Sequence, residues 1–193
     1  HDLRTPLTSI IGYLGWVRTR TDLDEETRNH YIDIAYQKAL RLEQLTNELF
    51  GFVKLEHKEM QLHLGKLDLV QLMEQMLDEM TPSFVKNELQ VEFLHAEHVI
   101  FLEADGELLA RLFGNLLNNA VKYGKEGKQI RVSMEKEGEY VVTRVINYGR
   151  IIPKQELDHI FQKFYRTEES RSRDTGGTGL GLAIVQQIAE LHH

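Results

Sequence analysis

The chain has no cysteine, which excludes disulfides and thiolate metal centres. No apolar run approaches the ~20 residues that a bilayer span needs, and no secretory signal is visible. No segment repeats. Positive charge is not in excess. The net charge is −7 over 193 residues with His neutral, so a nucleic-acid partner is not expected, and an anionic ligand needs local positive groups. Strand signals are missing from residues 1–57. What is present is the apolar fraction and mixed charge of a soluble globular protein, long enough for one or two domains. Residues upstream of His1 are expected.

The first 57 residues read as two helices. Ile10, Leu14 and Val17 recur at helical spacing, with Gly12 and Gly15 leaving room for close packing. TRTDLDEET breaks the pattern, and Asp22 with Glu25 reads as a capping box for a second helix. Tyr31, Ala35, Leu42, Leu45, Leu49 and Phe52 then follow three- and four-residue steps, close to a heptad seam. A helical hairpin cannot bury such a seam alone, so pairing with a second copy into a four-helix bundle is expected.

From residue 58 to 193 the texture is α+β, the second of two domains. QLHLGKLDL alternates like a strand and VQLMEQMLDEM is an amphipathic helix. LQVEFLHA and VIFLEA are strand-like. DGELLARLFGNLLNNAVKYG is a helix with Asp105 as N-cap, and QIRVSMEKEGEYVVTRVIN is a hairpin turning at Glu137-Gly138. GLAIVQQIAEL is a last helix. Hairpins rather than regular βαβ units predict an α/β sandwich. Residues 166–179, RTEESRSRDTGGTG, form a polar loop too long for a mere connection, as a functional lid would be.

Three stretches carry chemistry. In NLLNNAVKYG, Asn115, Asn119 and Lys122 share one helix face. Amide oxygens suit Mg²⁺ and an ammonium suits phosphate, although a solvated polar stripe has the same pattern. In GGTGLGLAI, Gly177, Gly179 and Gly181 alternate just before a helix, so backbone N–H groups and the helix N-terminus favour an anion. A dinucleotide fingerprint needs a preceding strand, and here a polar loop precedes; a flexible turn stays open. In HIFQKFYR, Phe161 and Phe164 read as core residues, and Arg166 at the lip of the loop as a phosphate contact.

The opening HDLRTPL resembles the phosphoacceptor box of bacterial sensor histidine kinases. NLLNNAVKY resembles their N box, FQKFYR their F box and GGTGLGL their second glycine box. The boxes come in the family's order and span the chain. The spelling of several is also similar to the vancomycin-resistance sensors. The resemblance implies a dimerisation and histidine-phosphotransfer hairpin joined to an ATP-binding domain of the Bergerat type. It implies that His1 takes the γ-phosphoryl group of Mg-ATP and passes it to an aspartate of a response regulator. Asp2 would hold the other ring nitrogen and accept its proton. Thr5 would help place water for dephosphorylating that regulator. Pro6 removes the helical bond to the Asp2 carbonyl, so a kink is expected there. The nucleotide would meet Asn115, Asn119, Lys122, Tyr123, Asn147, Gly149, Arg166, Gly177, Gly179, Leu180 and Gly181, with Mg²⁺ at Asn115 and Asn119. The implied setting is the cytoplasmic part of a membrane sensor whose spans lie upstream.

Two features depart from the family. VINYGRIIP aligns with the first glycine box, D-x-G-x-G-I-P, but has Asn147 for the Asp that accepts the adenine amino hydrogen bond, and Ile151 for the second Gly. A neutral acceptor forfeits about 1 kcal/mol, near fivefold in affinity. The family also continues past the last helix into closing strands, absent here. Two rival functions remain: a degenerate nucleotide-binding scaffold that only dimerises, favoured by Asn147, and a Bergerat-type ATPase acting as chaperone or DNA machine, against which the phosphoacceptor hairpin speaks.

Overall fold

A computed structural model describes residues 3–56, 61–149, 151–167 and 177–192. The chain divides into two compact units, His1–Lys54 and Leu55–His193.

The first unit is a helical hairpin. Helix α1 (Arg4–Thr19) and the long α2 (Glu25–Glu56) are joined by a short loop. The cap of α2 is not Asp22 as expected but Asp24. Its two carboxylate oxygens accept from the Thr27 backbone N–H at 2.7 Å and the Thr27 hydroxyl at 2.8 Å. Glu25 is therefore the first helical residue, not the third, and the Asp22–Glu25 pair lies too early to serve as a box. At the loop end, Tyr31 of α2 closes on Tyr13 (ring centroids 5.6 Å) and on Trp16 (5.7 Å) of α1. Along the expected seam Ala35, Leu45 and Phe52 are buried, while Tyr31, Leu42 and Leu49 are half-buried. A different row stays bare: Leu7, Ile11 and Leu14 on α1 are 46%, 64% and 46% exposed, and Ile32 and Tyr36 on α2 are also exposed. Nothing lies within 4 Å of where a Cβ on Gly12 or Gly15 would stand. Pro6 sits in the first described turn of α1. The acceptor it would forgo, the Asp2 carbonyl, lies outside the described residues, and so does the expected kink.

The second unit mixes helices with two small sheets. Strand β1 (Gly65–Asp68) pairs antiparallel with β3 (Phe101–Ala104). The other sheet has the order β2-β4-β5, from β2 (Gln90–His95), β4 (Gln129–Glu137) and β5 (Tyr140–Asn147). Only the second half of the alternating QLHLGKLDL run becomes strand, because only those residues meet β3. As expected there is no regular βαβ repeat among the described residues, but one strand pair is parallel. Strand β2 runs parallel to β4, and the chain reaches it by a crossover through β3 and helix α4 (Gly106–Tyr123). The β4–β5 hairpin turns where expected, with Gly138 at φ 65°. A positive φ at the first central position is what a type II′ turn requires, and glycine adopts it without a Cβ penalty.

Helix α3 (Leu69–Lys86) and α4 supply the apolar faces, and the last helix, here α6 (Gly181–Leu191), packs on α4 after the four-residue α5 (Lys154–Leu157). Met73, Leu117, Ile130, Val132, Met134, Leu180, Ile184 and Ile188 are fully buried. On β4 the inward residues alternate with Arg131, Ser133 and Glu135, which read as the solvent face of a half-buried sheet. There Arg131 pairs with Glu92 of β2 at 2.8 Å.

Asp105 holds three elements together, and it is 5% exposed. Its carboxylate caps α4 by accepting from Leu108 N–H at 3.2 Å and accepts from His63 N–H at 3.0 Å. Its own N–H donates to Nε2 of His192 at 3.1 Å, beyond the end of α6. The His192 Nδ1 lies 2.8 Å from the Ile188 carbonyl, which assigns the proton to Nδ1. Burial pushes the Asp105 carboxyl up, but the backbone N–H groups of His63, Leu108 and Glu107 outweigh burial and hold it below its ordinary value. A depressed carboxylate stabilises the fold fully above its unfolded value of ~3.9, and that contribution fades as pH falls through the lower folded value. Asp105→Ala is expected to cost about 1–2 kcal/mol at neutral pH and to flatten the acid limb of unfolding below about pH 4. Circular dichroism during acid titration of both proteins measures it; an unchanged limb removes Asp105 from the linkage.

Candidate functional site

Helix α4 sets the site because its two faces differ. Leu108, Leu112, Phe113, Leu117, Ala120 and Val121 are buried. Asn115, Asn119 and Lys122, at i, i+4 and i+7, are half-buried along another face. The Asn115 amide is oriented by its Nδ2, which donates to the Arg111 carbonyl at 3.0 Å. That leaves Oδ1 turned toward the start of α6, where a Cβ on Gly181 would stand 3.4 Å away. Further along, a Cβ on Gly177 would come within 2.7 Å of the Lys122 ammonium nitrogen. The same nitrogen lies 4.9 Å from the centroid of the Tyr123 ring. Two segments some 60 residues apart in sequence thus meet twice, each time a polar side chain against a glycine.

Gly179 lies between those contacts at φ 71°. A Cβ there would stand 2.7 Å from the Phe164 carbonyl carbon and 2.8 Å from the Tyr165 carbonyl oxygen. The Gly179 carbonyl accepts from Phe164 N–H at 3.0 Å. The glycine segment is therefore docked on the FQKFYR segment through backbone. Thr178 is buried, and its hydroxyl accepts from Leu180 N–H at 3.1 Å. The Leu180 side chain is core, 1% exposed, so only its backbone faces the turn.

The C-terminal end of α4, just beyond Lys122, carries the VINYG stretch. Asn147, the last residue of β5, is half-buried and in register with Ile130. Its Cβ lies 3.2 Å from the position a Cβ on Gly124 would take. A Cβ on Gly149 would stand 2.7 Å from the Tyr123 carbonyl, and one on Gly127 would stand 2.1 Å from the Tyr148 carbonyl. Gly124 and Gly127 were not singled out from sequence, although the N-box helix ending in Gly marks the place. These contacts bring Tyr123, Asn147 and Gly149 together.

Of the expected residues, Asn115, Lys122, Gly177 and Gly181 form one cluster and Tyr123, Asn147 and Gly149 a second, both built on the C-terminal half of α4. Asn119 lies on the same face of α4, between Asn115 and Lys122. Arg166 is half-buried at the end of the FQKFYR segment. His1 and Asp2 lie outside the described residues, as does 168–176, most of the expected lid. Thr5 is an exposed residue of the first turn of α1. One reading is corrected. Phe161 and Phe164 are not core but 43% and 53% exposed. The helical periodicity that suggested burial has no helix to act on, since α5 ends at Leu157 and Phe164 has φ 62°. Ile151 is 88% exposed.

Chemically, glycine backbone and an ammonium around the start of an 11-residue helix make a cradle suited to phosphate oxygens, and the Asn115 amide oxygen beside them, an acceptor, suits a cation. A side chain at Gly177 would fill it. Among the described residues no three His, Cys, Asp or Glu gather as a metal cluster.

Two family descriptions match. Residues 1–58 match "His Kinase A (phospho-acceptor) domain", and residues 104–193 match "Histidine kinase-, DNA gyrase B-, and HSP90-like ATPase". The chain is 38% identical over 192 residues to the sensor protein VanS of Enterococcus faecium, covering 100% of this chain and 50% of that protein. It is 30% identical over 198 residues to the sensor histidine kinase WalK of Bacillus subtilis, covering 100% of this chain and 32% of that one. It thus spans about half the length of VanS or less of such relatives. Among solved structures, histidine kinase ThkA in complex with response regulator protein TrrA superposes with a TM-score of 0.72 at 26% identity, over 86% of this chain and 48% of that one.

Proposed function

Because the chain belongs to the sensor histidine kinases, with a phospho-acceptor domain followed by an ATPase domain, we propose that it is an ATP-dependent autophosphorylating kinase core. The unit from Leu55 onward binds the nucleotide, and His1 of the hairpin receives the γ-phosphoryl group. The observation that carries the reading is the double approach of α4 to the glycine segment, Asn115 to Gly181 and Lys122 to Gly177. It brings an amide oxygen, an ammonium and small backbone together for a triphosphate and its cation.

The roles follow from the residue chemistry. Lys122 meets the phosphates as a point charge. Gly177, Gly179 and Gly181 bring backbone close to them, and Arg166 adds a second cation. Asn147, Tyr123 and Gly149 face the base beside the C-terminal end of α4. Mg²⁺ would share the charge of the phosphates, and the Asn115 and Asn119 amide oxygens are the side chains to hold it. Phosphoryl transfer asks the protein mainly for alignment and charge neutralisation. The neutral imidazole nitrogen of His1 forms the new N–P bond as the bond to ADP breaks, and Asp2 takes the proton from the other ring nitrogen.

The phosphoryl group then passes to an aspartate of a response regulator; the complex named for ThkA supports such a partner here. Thr5, four residues after His1 in sequence, would position water when the regulator is dephosphorylated. No helix among the described residues is long and apolar enough to cross a membrane. We place this piece on the cytoplasmic side of a membrane sensor, where ATP is found.

The hairpin works as a homodimer on this reading, supported by the bare row Leu7, Ile11 and Leu14 beside Ile32 and Tyr36. The double variant Ile11→Glu/Tyr36→Glu is expected to sediment at half the wild-type mass. A dimer that survives both charges has its interface elsewhere.

The kinase assignment is tested with γ-labelled ATP and Mg²⁺. The expected label is lost in acid and kept in alkali, as a phosphoramidate is. No label with intact ATP binding would favour the scaffold reading; released phosphate without labelled protein would favour the plain ATPase.

A further inference from the structure

Asn147 sits where its backbone is fixed and its amide is not. It closes β5 in register with Ile130, and its Cβ packs on the bare face of Gly124. The terminal amide has no hydrogen-bond partner among the described residues. Asn115 makes the contrast: the Arg111 carbonyl takes its Nδ2 and thereby fixes which way its oxygen points. A carboxamide carries an acceptor and a donor side by side, and a half-turn about its last bond exchanges them. No hydrogen bond among the described residues sets that half-turn for Asn147.

A 6-aminopurine presents an amino donor beside the N1 acceptor. A 6-oxopurine presents an O6 acceptor beside the N1–H donor. One amide orientation pairs with the first edge and the flipped orientation with the second, each time with two neutral hydrogen bonds. A carboxylate cannot do this, because it only accepts: it meets the 6-amino group but sets oxygen against N1 of the first edge, and it meets N1–H but sets oxygen against O6 of the second. Resting on the nucleotide site proposed above, we propose that Asn147 makes this site ambivalent toward the 6-position of the purine, so that it takes 6-oxopurine nucleoside triphosphates as well as ATP. Hypoxanthine is the clean case, since guanine adds a 2-amino group with its own demands.

The experiment is titration calorimetry of the full chain with Mg-ATP and Mg-ITP, for wild type, Asn147→Asp and Asn147→Ala. Thermal unfolding checks that each variant is folded. For wild type, the two dissociation constants are expected within about tenfold of each other, since both edges are fully paired. Asn147→Asp should weaken ATP and ITP alike, by about tenfold, because on either edge one charged hydrogen bond forms while the other carboxylate oxygen is left facing an acceptor, N1 in ATP and O6 in ITP. Asn147→Ala should weaken both alike and leave their ratio unchanged. If wild type binds ITP more than about 50-fold more weakly than ATP while Asn147→Asp still shifts ATP, the ambivalence is wrong and the site stands. If neither variant moves either nucleotide, Asn147 does not meet the base, and its place in the site falls together with this inference.

Discussion

Replacing His1 with Gln eliminates the acid-labile label while ATP affinity stays within about twofold of wild type. The separation follows from where the two jobs lie. Every residue proposed to hold nucleotide, from Asn115 to Gly181, belongs to the unit from Leu55 to His193, whereas His1 belongs to the other. Gln keeps polarity and similar length, so the hairpin loses little. It has no lone pair of useful basicity on nitrogen, so it cannot take phosphorus. A rate with no nucleophile falls to that of adventitious hydrolysis, several orders of magnitude down. Gel autoradiography after a single-turnover incubation reads the first quantity and calorimetry the second. Undiminished label on His1→Gln would move the acceptor to another residue. Label lost together with ATP affinity would mean that His1 supports the nucleotide site.

Gly179→Ala is expected to weaken ATP binding at least tenfold and to abolish labelling, with little change in overall helix content. Two penalties fall on one methyl group. At φ 71° an L-residue meets its own carbonyl, costing roughly 1–2 kcal/mol. The same methyl would stand under 3 Å from the backbone of Phe164 and Tyr165, which cannot turn aside as a flexible side chain would. The cheapest relief is to part the glycine segment from the FQKFYR segment and to lose the Phe164 N–H bond to the Gly179 carbonyl. Gly177 and Gly181 then leave Lys122 and Asn115. The core, carried by Leu117, Ile130, Val132 and Ile188, does not depend on that contact. Calorimetry with Mg-ATP and far-UV circular dichroism separate the two effects. Wild-type affinity in Gly179→Ala would show that this docking is irrelevant to the nucleotide.

The parts of this molecule that were legible in its sequence are those set by local rules. Asp105 announces α4 because a capping carboxylate belongs immediately before an apolar run. Gly138 announces the hairpin because the turn needs a positive φ. Asn115, Asn119 and Lys122 could be placed on one face by counting residues. The sorting of strands could not be read that way. LQVEFLHA and VIFLEA are neighbours in the chain and similar in composition, yet the first pairs with β4 and the second with β1. That choice belongs to the crossover, not to either strand. HIFQKFYR misled for the opposite reason. Its spacing suits a helix, but backbone contacts with Gly179 hold the segment in turns, and apolar spacing then says nothing about burial. Asp22 with Glu25 suggested a cap two residues too early, and only the reach of Asp24 to Thr27 shows where α2 begins.

The aromatic cluster at the loop end of the hairpin has an optical consequence. Trp16 is the one tryptophan in the chain, and it lies among Tyr13 and Tyr31. Emission excited at the indole edge therefore comes from the hairpin alone, while the nucleotide-binding unit is dark at that wavelength and shows itself through far-UV ellipticity. A denaturant titration followed by both signals watches the two halves of the chain separately. Coincident curves mean that the units melt as one cooperative body; an earlier fluorescence midpoint means that the hairpin lets go first.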